Sequence, residues 1–248
     1  MWVIAHRGAS AEAPENTLAA FRRAAEMGAG FVELDLQLTR DSRLVVLHDA
    51  VLDRTTNGSG LAAAKTLAEL RQLDAGSWFD GRGSAGTEGK FAGERIPVLE
   101  EVFAFARDSD VGLYLELKSG LLTNAAQTLA AALRSSGEMR RSVVISFDTG
   151  VLAQIRKIEP PIVTGFLYDQ APADPVAEAL FAGARQLLPQ VDLVTPELVG
   201  RAHAGDLKVA TWTVDAPDEM RELMAAGVDG IITNRPNVLL EVLAGAKR

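Results

Sequence analysis

Acidic residues at alternating positions in two apolar segments suggest a metal site. In FVELDLQL, the alternation of a β-strand puts Glu33 and Asp35 on one face and the intervening apolar residues on the other. In GLYLELK, the same alternation puts Glu116 and Lys118 together on one face. With the apolar faces packed against helices, three carboxylates point into one region of the molecule.

Carboxylates this close together need a compensating positive charge, because like charges raise one another's pKa. Carboxylate oxygens are hard ligands, so we predict one divalent cation, Mg²⁺ or Ca²⁺, between which the sequence does not choose. The alternative is a polar network without a metal, in which Arg7 and Lys118 neutralise the acids. The spacing alone leaves both interpretations open.

Two of the three histidines follow apolar runs that read as strands. His6 ends the run WVIAH, and His48 ends LVVLH. Imidazole transfers protons near neutral pH, so two histidines at a metal site suit a reaction that needs an acid and a base. Arg7 and Lys118 add fixed positive charge that suits a phosphate. His203, in GRAHAGD, has no motif around it and receives no role.

The composition indicates a globular protein with a small-molecule partner. The 248 residues are 48% hydrophobic, and the net charge is −8 without any block of Lys and Arg, which argues against nucleic acid as a partner. The absence of cysteine excludes disulfides, thiolate metal sites and a cysteine nucleophile.

The N-terminal residues MWVIAHRG do not combine a basic stretch with a long apolar one. No run of the sequence reaches the roughly 18 apolar residues of a membrane span. We therefore expect a cytoplasmic protein without membrane insertion. A monomer and a homodimer are both compatible with the sequence.

Strand and helix patterns alternate along the chain and predict an α/β protein with a TIM (β/α)8 barrel. The candidate strands are residues 2 to 6, 31 to 37, 113 to 118, 143 to 147, 162 to 168, 192 to 195, 209 to 214 and 230 to 233. Helical segments between them end at Gly28 and at Gly227, as glycine C-caps do. A doubly wound sheet is the alternative, but its glycine-rich dinucleotide turn is absent from the sequence.

Residues 41 to 97 interrupt the alternation, and we predict a small insertion after the second barrel strand, within a single catalytic domain of residues 1 to 248. In barrels of this kind, such loops carry the active site. The segment from 76 to 93 is rich in glycine and polar residues, and whether it forms a lid is open.

With these residues assembled, the sequence closely resembles the glycerophosphodiester phosphodiesterase family. The matching motifs are HRG at 6 to 8, ENT at 15 to 17, ELDLQLTRD at 33 to 41, VVLHD at 45 to 49, RTTNGSG at 54 to 60, IPVLEEV at 96 to 102, ELK at 116 to 118, SF at 146 to 147, ATWTV at 210 to 214 and ITNRP at 232 to 236. Ordered motifs across nearly the whole chain are far more specific than any one of them.

The resemblance implies a metal-dependent hydrolase that splits glycerophosphodiesters into glycerol 3-phosphate and an alcohol. At matching positions stand the family's metal ligands, Glu33, Asp35 and Glu116, its acid and base, His6 and His48, and its phosphate-contacting residues, Arg7 and Lys118. Positions near the substrate are matched by Phe147, Trp212 and Asn234, of which Trp212 is alternatively core and Asn234 a turn residue.

One position departs from the resemblance, because many relatives read WTVN where this chain has Asp215. The extra carboxylate either repels an anionic substrate or caps the helix that begins at Pro217. Two other functions compete with the main one. They are a related phosphodiesterase acting on lysophospholipid or sphingolipid, and a barrel that binds a phosphorylated ligand without cutting it.

Overall fold

The computed structural model of the chain describes residues 1–80, 89–118 and 123–246 and contains a closed barrel of eight parallel strands. The strands of the described residues are β1 (Trp2–His6), β2 (Phe31–Leu38), β3 (Leu44–Val46), β4 (Gly112–Leu117), β5 (Ser142–Ser146), β6 (Val163–Tyr168), β7 (Gln186–Pro189), β8 (Lys208–Thr211) and β9 (Gly230–Thr233). Pairing of β1 with both β2 and β9 closes the barrel, and β3 lies outside it, antiparallel to β2. The predicted TIM barrel is confirmed.

Helices surround the barrel and connect successive strands. They are α1 (Leu18–Met27), α2 (Leu67–Leu70), α3 (Ser77–Asp80), α4 (Leu99–Ser109), α5 (Thr123–Ser136), α6 (Thr149–Ile158), α7 (Pro175–Phe181), α8 (Pro196–Ala204), α9 (Pro217–Ala226) and α10 (Pro236–Gly245). As predicted, α1 ends at Gly28 and α9 at Gly227, both in the left-handed conformation. Among the described helices, none is long and apolar enough to cross a membrane.

The alternation of side chains along the strands separates two apolar regions. The outward residues of β2 and β4 pack in the layer between barrel and helices, as their pattern predicts. Inside the barrel, a second cluster fills the space below the strand ends. It consists of Ile4, Tyr114, Val143, Ile145, Leu167, Leu188, Ala210 and Ile232. The polar inward residues of β1, β2 and β4 lie above this cluster, toward the carboxyl ends of the strands.

The seventh predicted strand, residues 192 to 195, is wrong. The barrel strand is β7, Gln186–Pro189, and a short 3₁₀ helix and the start of α8 follow it. The strand ends where the Gln190 side chain accepts from the backbone N–H of Asp192 and caps the 3₁₀ turn. Thr195 then caps α8, so the apolar run after Pro189 belongs to a connection and not to a strand.

The segment predicted as an insertion runs between β2 and α4. It contains β3, α2 and α3, and it encloses a small apolar cluster of its own. The cluster consists of Val45, Leu47, Leu52, Ala62, Leu70, Ala75 and Ile96. Of the segment from 76 to 93, for which the sequence left a lid open, residues 81 to 88 lie outside the described residues.

The turn after β1 depends on a glycine that approaches α1 closely. Gly8 has a φ of +85°, and a Cβ atom built on it would lie 2.6 Å from the carbonyl carbon of Ala20. The backbone N–H of Ala9 donates to the carbonyl oxygen of the same Ala20. Gly8 therefore lets the chain leave β1 directly against the helix, which fixes His6 and Arg7 at the strand end.

We predict that Gly8→Ala destabilises the protein by about 3 kcal/mol or more, because the added methyl group meets backbone as well as an unfavourable φ. Gly60→Ala is the matched control, since Gly60 has a φ of +81° with no heavy atom within 4 Å of the built Cβ. It should cost about 1 kcal/mol. Equal losses in urea unfolding of the two variants would contradict the close-packing argument.

Candidate active site

An open pocket of about 190 Å³ lies at the carboxyl ends of the barrel strands. Its walls are formed by His6, Arg7, Glu33, His48, Glu116, Lys118, Ile145, Phe147, Leu167, Trp212 and Ile232. Eight of the ten predicted site residues line this pocket. The other two, Asp35 and Asn234, lie behind the lining and contact residues in it.

The three predicted carboxylates meet at the pocket wall. Glu33, Asp35 and Glu116 are buried, and one carboxylate oxygen from each lies within 4.8 Å of the others. The strand register causes this, because Asp35 is paired with Glu116 in the ladder between β2 and β4, and Glu33 points the same way two residues earlier. Three oxygen donors at this spacing could hold a hard divalent cation.

Two cations also contact these carboxylates. Lys118 Nζ forms ion pairs with Asp35 and, at 2.8 Å, with Glu116. Arg7 Nε lies 3.2 Å from Asp35 Oδ2, and its Nη1 donates to Glu15 at 2.8 Å. The ion pairs expected of a polar network are therefore present, and so is the carboxylate cluster expected of a metal site. Arg7 interacts with two carboxylates, those of Asp35 and Glu15.

Lys118 and Arg7 stabilise the ionised form of Asp35 more than that of the other two carboxylates. Burial would raise the pKa of Asp35, but the nearby charges of Lys118 and Arg7 outweigh it and lower that pKa. Burial and the charge of Asp35 raise the pKa of Glu116 to about 7. Burial and the charges of Asp35 and Glu116 also raise the pKa of Glu33. The positive charge of Lys118 and Arg7 therefore does not offset burial and like-charge repulsion at Glu33 and Glu116, and a dication would supply the missing charge.

His6 stands beside the cluster with its two nitrogens in different surroundings. Nδ1 lies 2.7 Å from Asn234 Oδ1, and Nε2 lies 4.0 Å from Glu33 Oε2. Burial, and then the charge of Arg7, lower the pKa of His6 to about 4. The imidazole is therefore neutral in the physiological pH range, which is the form that a general base needs.

His48 follows β3 and faces the same pocket from the insertion side. Its Nδ1 lies 2.6 Å from Asp49 Oδ1, and the Asp49 carboxylate also accepts from Arg54 Nε at 2.6 Å. The hydrogen bond from Arg54 lowers the pKa of Asp49 to about 2. Arg54 further donates to Glu15 through both terminal nitrogens at 2.8 Å, which ties the insertion to the turn after β1.

Apolar side chains form the opposite wall. The rings of Phe147 and Trp212 pack edge to face, with centroids 5.5 Å apart, and Trp212 Nε1 donates to the carbonyl oxygen of Leu188. This hydrogen bond holds Trp212 in place, and its ring lines the pocket. His203, which received no role, pairs with Asp229 on the surface.

Several polar residues of the site received no role from the sequence. Asn16 donates to Asp35 Oδ2 at 2.8 Å, while Glu15, Asp49 and Arg54 form the ion-pair network described above. Glu15 and Asn16 directly precede the helix-capping residue Thr17. The motif ENT at 15 to 17, which the resemblance already includes, is the sequence signal by which Asn16 could have been found.

The profile of the glycerophosphoryl diester phosphodiesterase family matches residues 6–238. The chain belongs to this family. A glycerophosphodiester phosphodiesterase of Caldanaerobacter subterraneus is 42% identical over 243 residues, which cover 97% of each chain. One of Bacillus subtilis is 32% identical over 254 residues, which cover 98% of this chain and 86% of the relative. The predicted enzyme class, a glycerophosphodiester phosphodiesterase, is confirmed.

Solved structures of the family share the fold. A phosphodiesterase of Oleispira antarctica, in complex with the product sn-glycerol-3-phosphate, superposes with a TM-score of 0.91 at 30% identity, covering 98% of this chain and 97% of that chain. A glycerophosphodiester phosphodiesterase from Agrobacterium tumefaciens has a TM-score of 0.83 at 29% identity, covering 96% and 98% of the two chains.

The raised pKa of Glu116 predicts how stability of this phosphodiesterase depends on pH in EDTA. The folded protein keeps that proton up to a pH of about 7, whereas the unfolded chain releases it near the ordinary value of 4.5. Stability from this group is therefore present at low pH and lost as the pH rises. Relative to Glu116→Gln, the wild type should lose on the order of 2 kcal/mol between about pH 5 and pH 8.

Urea unfolding of both proteins across that range measures the difference. The lowered pKa of His6 acts in the opposite direction between about pH 4 and pH 6.5, but it is present in both proteins and cancels. Parallel curves for the two proteins in EDTA would contradict the raised pKa of Glu116.

Proposed function

We propose that the protein hydrolyses glycerophosphodiesters to glycerol 3-phosphate and an alcohol, with a divalent cation bound and with His6 and His48 as base and acid. The observation that supports this most strongly is the arrangement of the pocket. Two histidines flank a cluster of buried carboxylates, and the Nδ1 atom of each is engaged by another side chain. Each Nε2 is then left for proton transfer with the substrate.

Glu33, Asp35 and Glu116 are the residues that would hold one ion, Mg²⁺ or Ca²⁺. When bound, it supplies charge neutralisation at a phosphate oxygen and lowers the pKa of the attacking hydroxyl group. Arg7 and Lys118 add fixed positive charge on the same side of the pocket and orient the phosphate. Both already contact carboxylates, so neither is free to leave this position.

The proton transfers follow from the positions of the histidines. His6 Nε2 takes the proton of the attacking oxygen, which forms the new bond to phosphorus. The bond between phosphorus and the leaving alcohol breaks, and His48 Nε2 gives a proton to the leaving oxygen. The attacking oxygen belongs either to water or to the 2-hydroxyl of the glycerol. In the second case, a cyclic phosphate forms and water opens it, with the histidines exchanging roles.

We expect the apolar wall of the pocket to contact the part of the substrate other than its phosphate. Phe147 and Trp212 present ring edges and faces to the pocket, and we propose that the carbon skeleton of the glycerol packs against them. The Oleispira antarctica relative bound to sn-glycerol-3-phosphate supports a small phosphorylated product. We also propose that Asn234 lies near the substrate, as the resemblance implies, that the location is cytoplasmic, that the protein is a monomer or a homodimer, and that it acts in glycerol and lipid metabolism.

Removal of the ion should abolish turnover. We expect release of choline from glycerophosphocholine, with glycerol 3-phosphate as co-product, to stop in EDTA and to return with Mg²⁺ or Ca²⁺. Glu33→Gln should lower turnover by about a hundredfold or more at every ion concentration. Glu222→Gln, at an exposed position of α9, is the matched control and should retain full activity. Undiminished turnover in EDTA would favour the polar network without a metal.

Failure to cut any glycerophosphodiester with either ion would overturn the proposed substrate class. The same assay with lysophosphatidylcholine and sphingomyelin, together with binding to phosphatidylcholine vesicles, would then separate a lipid-directed phosphodiesterase from a protein that only binds its ligand.

The acid role of His48 predicts a dependence on the leaving group. His48→Ala should lose about a hundredfold in kcat with choline as the leaving alcohol. The loss should be much smaller with p-nitrophenol, which leaves without a proton. Steady-state kinetics on both substrates measure this. Equal losses on the two substrates would argue against the acid role.

A further inference from the structure

Asp215 does not cap the helix that follows it. Helix α9 begins after Ala216 without any side-chain cap. The carboxylate of Asp215 is instead directed to the residues after β9. Its Oδ1 accepts from Thr233 Oγ1 at 2.9 Å and from the backbone N–H of Asn234 at 2.8 Å. Its Oδ2 accepts from Asn234 Nδ2 at 2.6 Å.

These contacts fix the orientation of the Asn234 amide. A carboxylate can only accept hydrogen bonds, so the Asn234 atom that faces Asp215 must be the amide nitrogen. The amide oxygen of Asn234 then faces the other way, toward His6 Nδ1 at 2.7 Å and Ser10 Oγ at 2.8 Å.

The orientation of Asn234 in turn decides the state of His6. An amide oxygen only accepts, so a neutral His6 must carry its proton on Nδ1. The unprotonated nitrogen is then Nε2, which lies beside Glu33 and lines the pocket. The carboxylate of Asp215 therefore fixes which atom donates and which accepts in each hydrogen bond from Asp215 through Asn234 to His6.

We propose that Asp215 is a positioning residue that holds His6 in the tautomer with a free Nε2. The inference rests on the proposed role of His6 as base. It also explains how the carboxylate is tolerated at the barrel mouth, because three hydrogen bonds from Thr233 and Asn234 occupy it. Asp215 touches neither the pocket nor the carboxylate cluster directly.

Asp215→Asn tests this with little change in shape. The new amide keeps its oxygen on Thr233 and on the backbone of Asn234, so its NH₂ group faces the NH₂ group of Asn234. Asn234 relieves this by rotating its amide, and its nitrogen then donates to His6 Nδ1. Ser10 can accept from that nitrogen while donating to the carbonyl oxygen of His6 at 2.8 Å. The rotated state satisfies all these groups, but it moves the His6 proton to Nε2.

A reciprocal exchange should restore the original polarity. In Asp215→Asn with Asn234→Asp, the carboxylate at 234 accepts from the amide at 215 and from His6 Nδ1. His6 again keeps its proton on Nδ1. The pair of variants thus separates loss of polarity from loss of the aspartate itself.

The direct readout is the tautomer of His6 by ¹⁵N NMR of ring-labelled histidine, at about pH 8, above the ordinary histidine pKa. His6→Asn assigns the signal among the three histidines. We expect Nδ1–H in the wild type and in the reciprocal variant, and Nε2–H in Asp215→Asn. The same tautomer in all three proteins, or Nε2–H in the wild type, would overturn the inference.

Kinetics supply the second readout. Asp215→Asn should lower kcat by about a hundredfold or more with little change in KM, and the reciprocal variant should recover most of it. Asp229→Asn is the control, because Asp229 also accepts from three partners but precedes β9 at the opposite end of the barrel. It should leave kcat unchanged.

An Asp215→Asn protein with wild-type kcat would overturn the positioning role. A wild type without activity on any glycerophosphodiester would instead overturn the proposed function, and the NMR result would still decide the tautomer.

Discussion

Burial of three carboxylates within 4.8 Å of one another is the constraint on which the rest of the site depends. Removing such charges from water is unfavourable unless opposite charge accompanies them. Lys118 and Arg7 supply part of it and stabilise mainly the charged form of Asp35. Glu33 and Glu116 are left with raised pKa values, so the protein alone does not neutralise its own acids. That residual demand for positive charge suits the pocket to a dication, and the charge of a bound dication would in turn attract an anionic phosphate.

The surrounding network keeps the two histidines at fixed positions around this centre. On one side, Asp49 and Arg54 connect His48 to Glu15, and thereby the insertion to the first barrel turn. On the other side, Asn234 connects His6 to Asp215. In both cases a carboxylate lies at the far end and the histidine Nδ1 is engaged. The two supports differ in length and chemistry, which suits two histidines with opposite roles in one reaction.

Much of this site follows from the sequence, because strand alternation and register are local properties. The inward direction of Glu33, Asp35 and Glu116 needs only a period of two and a parallel ladder. The family motifs predict that His6 and His48 share one site, and both histidines line the same pocket. The misplaced seventh strand shows the limit, since the apolar run at 192 to 195 has the composition of a strand but belongs to a capped connection.

The support network could not be predicted in the same way. The hydrogen bonds from Arg54 to Glu15 and from Asn234 to Asp215 join residues that are distant in the chain. No local pattern encodes their pairing, which depends on how the insertion and the last strand approach the first one. The sequence suggests two roles for Asp215, repelling the substrate and capping the following helix. In the structure, its carboxylate has neither role and accepts a hydrogen bond from Thr233 instead.

Calorimetric titration of the metal-free protein with Mg²⁺ and Ca²⁺ tests the central claim most directly, because it needs no substrate. The account predicts one ion per chain, with affinity that rises with pH across about pH 6 to 8 and with protons released on binding, since Glu116 gives up a proton held to a pH of about 7. Absence of saturable binding for both ions would contradict it.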